Sequence, residues 1–334
     1  MIRPSLAICL AMALVMVLPL APLRALNSGD ASGDAPGDPS RIAIEAAAAR
    51  AVGAHDPDPF TRNPDWLATP FLSPSELALI FSHPINRAVD QDPRISMLDP
   101  DVVPLVKLND VRTRFIDDRL RNAIEAGASQ VVILDAGLDS RPYRFRALLE
   151  KAKVWELDNS ATQEMKQRRV HDIFGAPPPN VRYVPIDLDR EKLTEALRGA
   201  GFRSSERTFF IWESGCMYHP TSAVMEILRE IAQSPASSLV MDFGYQDDVA
   251  RARKNPNSGV ERFDAAWGQP WLFGVPKDTD AFFIGLGFEP VELMPADGPV
   301  AIRRYLTHRD LSVVGQGQPS ADLPVTLAEL AVRR

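Results

Sequence analysis

Asp135, Asp158 and Asp187 each lie at or near the end of a short apolar run: Val131-Val132-Ile133-Leu134 before the first, KVWELD around the second and VRYVPIDL around the third. Carboxylates at strand ends can hold the hydroxyls and amines of a ligand, and ligands of open α/β sheets bind outside the carboxyl ends of the strands. Gly137, two residues after Asp135, can turn without a Cβ penalty. The Gly-x-Gly-x-x-Gly run through which a pyrophosphate approaches a helix N-terminus is missing, since Gly137 is the only glycine here. Asp135 would repel a pyrophosphate but suits a ligand with an ammonium group and no phosphate. Asp158, about one βαβ step on, is placed to accept both hydroxyls of a ribose. Asp187 also has a simpler role open to it, as a cap before Glu191.

The elements that must position these groups follow from periodicity. Four consecutive apolar residues are too few for a helix and suit a strand buried on both faces of a parallel sheet. Strands are expected at Lys153 to Asp158, Val181 to Leu188, Arg207 to Ser214 and Ser238 to Gly244, with helical stretches between them, so the fold class is α/β with a doubly wound sheet. Leu105 to Gly127 carries Val111, Phe115, Ile116, Leu120 and Ile124 at helical spacing. Phe288 to Met294 with Ala301 to Thr307 is expected to form a closing antiparallel pair, and residues 311–334 read as a tail. Upstream, Arg41 to Gly53 is an alanine-rich helix, and a short helix is expected at Pro74 to Phe81. Segments 41–104 and 245–280 are expected to cover the ligand edge, with Trp267, Trp271 and Phe273 either closing the pocket or packing on the sheet.

Two stretches carry a family resemblance. Ala136-Gly137-Leu138-Asp139-Ser140-Arg141 closely resembles a signature of the leucine carboxyl methyltransferase family, and Arg112-Thr113-Arg114-Phe115-Ile116-Asp117-Asp118 resembles its second signature. The likeness runs from about residue 41. It implies a Rossmann-like class I methyltransferase: a seven-stranded, mostly parallel sheet with one antiparallel strand near the C-terminus and an N-terminal helical cover. It also implies S-adenosyl-L-methionine as cofactor, with Arg112 on its carboxylate, Asp135 and Gly137 at the turn, Asp158 on the ribose, Asp187 and Leu188 on the adenine, and Glu213 near the amine and sulfonium. Tyr218 matches a tyrosine that lines the substrate site in relatives. Two positions depart from the family pattern: Asp135, where many members have glycine, and His219, where leucine or a similar residue is commoner.

Composition bounds the rest. With 45% hydrophobic and 24% charged residues the chain is globular, and a net charge of −7 gives no electrostatic footprint for nucleic acid. Cys9 and Cys216 cannot make a disulfide framework, and no Cys/His spacing points to a metal. Cys216 is expected to be packed rather than nucleophilic. Lys166, Arg168 and Arg169 read as a solvated helix face. Residues 1–26 have Arg3, an apolar run from Leu6 to Leu18 and a Leu23-Arg24-Ala25 candidate cleavage site, the layout of a signal peptide or membrane anchor. Residues 27–40, with Gly-Asp recurring, read as a flexible linker to a methyltransferase domain over 41–310. Export or membrane association is favoured narrowly over the cytoplasm.

The expected function is O-methyl transfer to a carboxylate or hydroxyl of a small molecule. A carboxylate needs no base, whereas a hydroxyl does, with Tyr218 and His219 as the nearby candidates. The alternative is a cofactor-binding, non-catalytic protein that uses the same fold to bind a partner.

Overall fold

The computed structural model describes residues 39–77, 103–252, 254, 270–314 and 325–333. The expected leader 1–26, nearly all of the linker 27–40, the second half of the Pro74 to Phe81 helix and Trp267 lie outside these residues. Among the described residues no helix is long and apolar enough to cross a membrane.

The elements run α1 (Arg41–Gly53), α2 (Val103–Glu125), β1 (Gln130–Leu134), the single turn α3 (Arg141–Arg144), β2 (Lys153–Asp158), α4 (Ser160–Phe174), β3 (Val181–Pro185), α5 (Leu193–Gly199), β4 (Thr208–Trp212), α6 (Thr221–Ile231), β5 (Ser238–Gly244), α7 (Gln246–Ala252), α8 (Thr279–Gly285), β6 (Phe288–Pro295), α9 (Pro299–Tyr305) and β7 (Val325–Val332). The sheet has seven strands in the order β3-β2-β1-β4-β5-β7-β6, with β1 to β5 parallel and β7 antiparallel to both of its neighbours. The strand order reverses between β1 and β4, the switch point at which open α/β sheets bind ligands.

Alternation explains the unbroken apolar run of β1. Val132 and Leu134 pack on one face with Leu193 and Leu197 of α5 and Val224 and Leu228 of α6. Val131 and Ile133 pack on the other with Val111, Phe115 and Leu120 of α2. Every residue of β1 and β4 is buried, as a sheet covered on both faces requires. A third cluster joins Ala47 and Ala51 of α1 to Leu67, Phe71, Tyr143 and Met165.

Three expectations are corrected. Residues 299–305 form helix α9, not a strand, because Pro299 follows Gly298 and presets the first helical turn. The partner of β6 is instead β7, drawn from the segment expected to be a tail; its VTLAELAV pattern is buried because it lies between β5 and β6. Lys166 is not on a solvated face: it is 1% exposed, and its ammonium donates to Glu156 Oε1 (2.8 Å) and to the Ala136 carbonyl (3.3 Å). Arg169 is half-buried against Glu76, and of the three only Arg168 is solvated.

Candidate active site

The carboxyl ends of β1, β2 and β4 open into one cavity of about 800 Å³, lined by Asp135, Gly137, Asp158, Asp187, Leu188, Glu213, Tyr218 and His219, all of them expected site residues. Residues of α1 form a further wall, with Ala43, Ala46 and Arg50 on one helix face.

Two backbone features shape the floor. Gly137 has φ +41, and a Cβ there would lie 2.9 Å from the Ala43 Cβ, so the turn and α1 approach as closely as they do because the side chain is absent. Asp135 has φ +46, a left-handed conformation that costs most residues strain but is tolerated by Asp and Asn. That conformation gives a physical reason for glycine being common at this position in relatives.

Asp158 binds the turn directly. Its Oδ2 accepts the Gly137 N–H and its Oδ1 the Asn159 N–H, both at 2.7 Å. Burial, helped by the charge of Asp135, raises its carboxyl to about 7. Asp187 follows the end of β3, which stops at Pro185 rather than running to Leu188. Its Oδ1 accepts the Asp189 N–H (3.0 Å) and its carbonyl accepts from Arg190 and Glu191, so it caps a turn while also lining the cavity.

Glu213 sits among three arginines. Arg141 donates to its Oε2 at 2.5 Å, with Arg112 Nε at 3.2 Å and an Arg50 nitrogen at 3.9 Å from Oε1. Burial pushes this carboxyl up, but the arginines outweigh burial and hold it at about 2. Arg112 lines a smaller adjoining chamber rather than the main cavity, and its guanidinium donates to Asp242 Oδ2 (3.0 Å) and Asn109 Oδ1 (2.7 Å). Arg190 and, from α1, Arg50 are the arginines on the cavity wall; Arg50 also donates to Asp65 and to the Leu138 carbonyl, and it is the one buried there. Sequence reasoning missed it, although an arginine at i+4 from Ala46 and i+7 from Ala43 on a small-residue face was a usable signal.

The two departures from the family pattern touch. His219 Nε2 is 2.9 Å from Asp135 Oδ2 and its Nδ1 2.6 Å from Asp189 Oδ1, while Trp212 Nε1 donates to Asp135 Oδ2 at 2.6 Å. Burial would lower the imidazole, but Asp135 and then Asp189 push it up to about 10. His219 is therefore an imidazolium with both N–H groups occupied by carboxylates, and in this arrangement it has no lone pair with which to act as a base. Because its folded value lies above the ordinary 6.5, its contribution to stability is complete below pH 6.5 and lost as pH rises through about 10. His219→Leu is expected to flatten the pH dependence of the melting temperature in that window; an unchanged profile would refute the bridge.

Tyr218 has its phenol raised far above the ordinary value by burial and by the nearby Glu45, so it keeps its proton, and its oxygen accepts from the Trp271 indole. Cys216 is fully buried with its thiol pushed up, and it donates to the Asp242 carbonyl, a packing role as expected. No group of three or more metal-ligating side chains occurs among the described residues.

The sheet order, the switch-point cavity and the acids at its strand ends define a class I methyltransferase. The sequence profile of the leucine carboxyl methyltransferase family matches residues 43–232, and the chain belongs to that family. It is 32% identical over 237 residues to a protein of Mycolicibacterium vanbaalenii assigned as an S-adenosyl-L-methionine-dependent methyltransferase, covering 69% of this chain and 76% of that one. A counterpart in Mycolicibacterium gilvum with the same assignment is 33% identical over 242 residues, covering 67% and 73%. Among solved structures, a DUF574 family protein of Streptomyces avermitilis superposes with a TM-score of 0.50 at 16% identity, over 87% of this chain and all of that one. A protein of Thermobifida fusca assigned as a methyltransferase also gives 0.50, at 13% identity over 89% and 96%.

The cofactor is S-adenosyl-L-methionine, and the donor set fits it. The cavity offers carboxylates where hydroxyls and an ammonium need acceptors, and the buried Glu213 Oε1 has no hydrogen-bond partner among the described residues.

Proposed function

We propose that this methyltransferase moves a methyl group onto oxygen, to a carboxylate or hydroxyl of a small molecule. The supporting observation is a chamber of about 30 Å³ beside the main cavity, with Tyr218 and Ser214 in the walls of both. Such a space admits one small polar group and excludes a folded chain.

Asp158 is the residue we assign to the ribose, Asp187 and Leu188 to the adenine and Glu213 to the ammonium, with the arginines around Glu213 fixing its position. The cofactor supplies a methyl group already activated by sulfonium charge. What remains for the chain is orientation and exclusion of water. Ile42 and Ala46 of α1 and Leu272 give the cavity apolar walls for the second task. Formation of S-adenosylhomocysteine with a panel of small acids and alcohols, resolved into base-labile esters and stable ethers, tests this; products methylated on nitrogen or carbon would overturn it.

We also propose, from the layout of residues 1–26, that the protein is exported or membrane-associated. Fractionation with N-terminal sequencing tests this: a soluble cytosolic chain that retains Met1 would exclude export.

A further inference from the structure

Lys166 of α4 does not line the cavity, yet its ammonium reaches the turn at the cavity floor. It is 1% exposed and lies 2.8 Å from Glu156 Oε1 and 3.3 Å from the Ala136 carbonyl oxygen. Glu156 is fully buried in β2, two residues before Asp158 and therefore on the same face of the strand. A buried ion pair is often no more stabilising than apolar residues of similar volume, because desolvation of both charges offsets their attraction. Stability alone therefore gives little reason for a lysine here.

The Ala136 carbonyl and the Gly137 N–H belong to one peptide unit. The carbonyl accepts from Lys166 and from the Asp139 N–H (2.8 Å), and the N–H donates to Asp158 Oδ2 (2.7 Å). One peptide plane thus joins the ammonium of α4 to the carboxylate of β2. Charge adds to this geometry. Burial and then Asp135 of β1 push the Asp158 carboxyl up to about 7, against the N–H groups of Gly137 and Asn159 and the Lys166 ammonium, which pull it down. Glu156 also stands at about 7: burial raises it and Lys166 lowers it, with Asp139 adding to the rise and the Tyr143 hydroxyl, paired with Tyr183 of β3, opposing it.

We infer that Lys166 is a positioning residue for cofactor binding: it fixes the Ala136–Gly137 peptide and supplies the positive charge that holds Asp158 as a carboxylate for the ribose hydroxyls; this rests on the assignment of Asp158 to the ribose. Without that charge Asp158 keeps its proton to higher pH, and a protonated carboxyl offers the hydroxyls less acceptor capacity.

The test is calorimetric titration of the full-length protein with 5′-methylthioadenosine from roughly pH 5.5 to 9. This probe carries the cofactor's adenine and ribose but neither its amine nor its carboxylate, so the protein alone titrates over that range. Glu156→Gln removes the second carboxyl near 7 while its amide oxygen can still accept from Lys166, and the midpoint of binding should stay at or below about 7. Lys166→Met, alone and combined with Glu156→Gln, should move the midpoint up by about one pH unit, which is about a fivefold loss of affinity at pH 7. The double variant removes both buried charges, so its fold does not depend on an unpaired carboxylate. A midpoint that stays in place in the lysine variants, or an affinity loss equal at every pH, would reduce Lys166 to a structural partner of Glu156 and overturn the inference. If the unaltered protein does not bind the probe, or binds it equally at every pH, Asp158 leaves the ribose site and the role of Lys166 goes with it. If binding depends on pH and the lysine variants do not shift it, only the role of Lys166 fails.

Discussion

Replacement of Arg141 by methionine is expected to lower the unfolding free energy by about 3–5 kcal/mol, the range for breaking a buried ion pair by removing one partner. Arg141 is 2% exposed and its guanidinium meets three carboxylates: Asp117 Oδ1 at 2.8 Å, Asp139 Oδ2 at 2.6 Å and Glu213 Oε2 at 2.5 Å. Methionine fills much of the volume but leaves those charges short of a cation. Asp117 keeps Arg144, and Glu213 keeps Arg112 and the more distant Arg50, while Asp139 keeps the backbone N–H of residue 141. The Glu213 carboxyl should rise from about 2, and the acid limb of stability should move to higher pH, because a carboxyl depressed in the fold stabilises only above its titration. Urea denaturation at pH 7 and pH 4 measures both effects; a loss under 1 kcal/mol would show that the network is not held by this residue.

Asp158→Ala is expected to weaken S-adenosylmethionine by about 1–3 kcal/mol, the cost of removing hydrogen bonds from a buried charged group. The same substitution frees the Gly137 and Asn159 N–H groups, so the turn and the ligand contact are lost together. Asp187→Ala should cost less, since its side chain is about half exposed and water can replace it. The carboxyl of Asp158 titrates near 7, and hydroxyl donors need its ionised form, so affinity should fall as pH drops below 7 in the unaltered protein and not in Asp158→Ala. Calorimetry across pH 5.5–8.5 resolves this; equal, pH-independent affinities would remove Asp158 from the ribose site.

Most of the sheet was legible because a strand buried on both faces leaves an unbroken apolar run, as in VVIL and TFFIW. The acids at its edge were legible because they interrupt those runs. What escaped has identifiable causes. Strand β7 follows Gly315-Gln316-Gly317-Gln318-Pro319, whose composition reads as the start of a tail, and its β identity comes from pairing on both sides rather than from local pattern. Lys166 looked solvated because a lysine's partner is set by tertiary contact; Glu156 lies in β2 and Lys166 in the helix that follows, so no single helical or strand periodicity pairs them, yet they are adjacent in space. Arg50 was overlooked because its neighbours are alanines, which give an arginine no local reason to be buried. The contact between Asp135 and His219 was equally invisible, since neither residue signals the other along the chain.

The placement of β7 also bears on the order in which the molecule can assemble. Strand β6 precedes β7 in the chain but joins the sheet only through it, and β5 has its outer edge covered by the same strand. Until residues 325–332 arrive, β5 presents an unpaired apolar edge and β6 has no strand to pair with. Such a half-built sheet is the kind of species that pairs with other chains instead of its own. Soluble yield should therefore depend more on chaperone supply and on the integrity of this one segment than the modest number of residues in it would suggest.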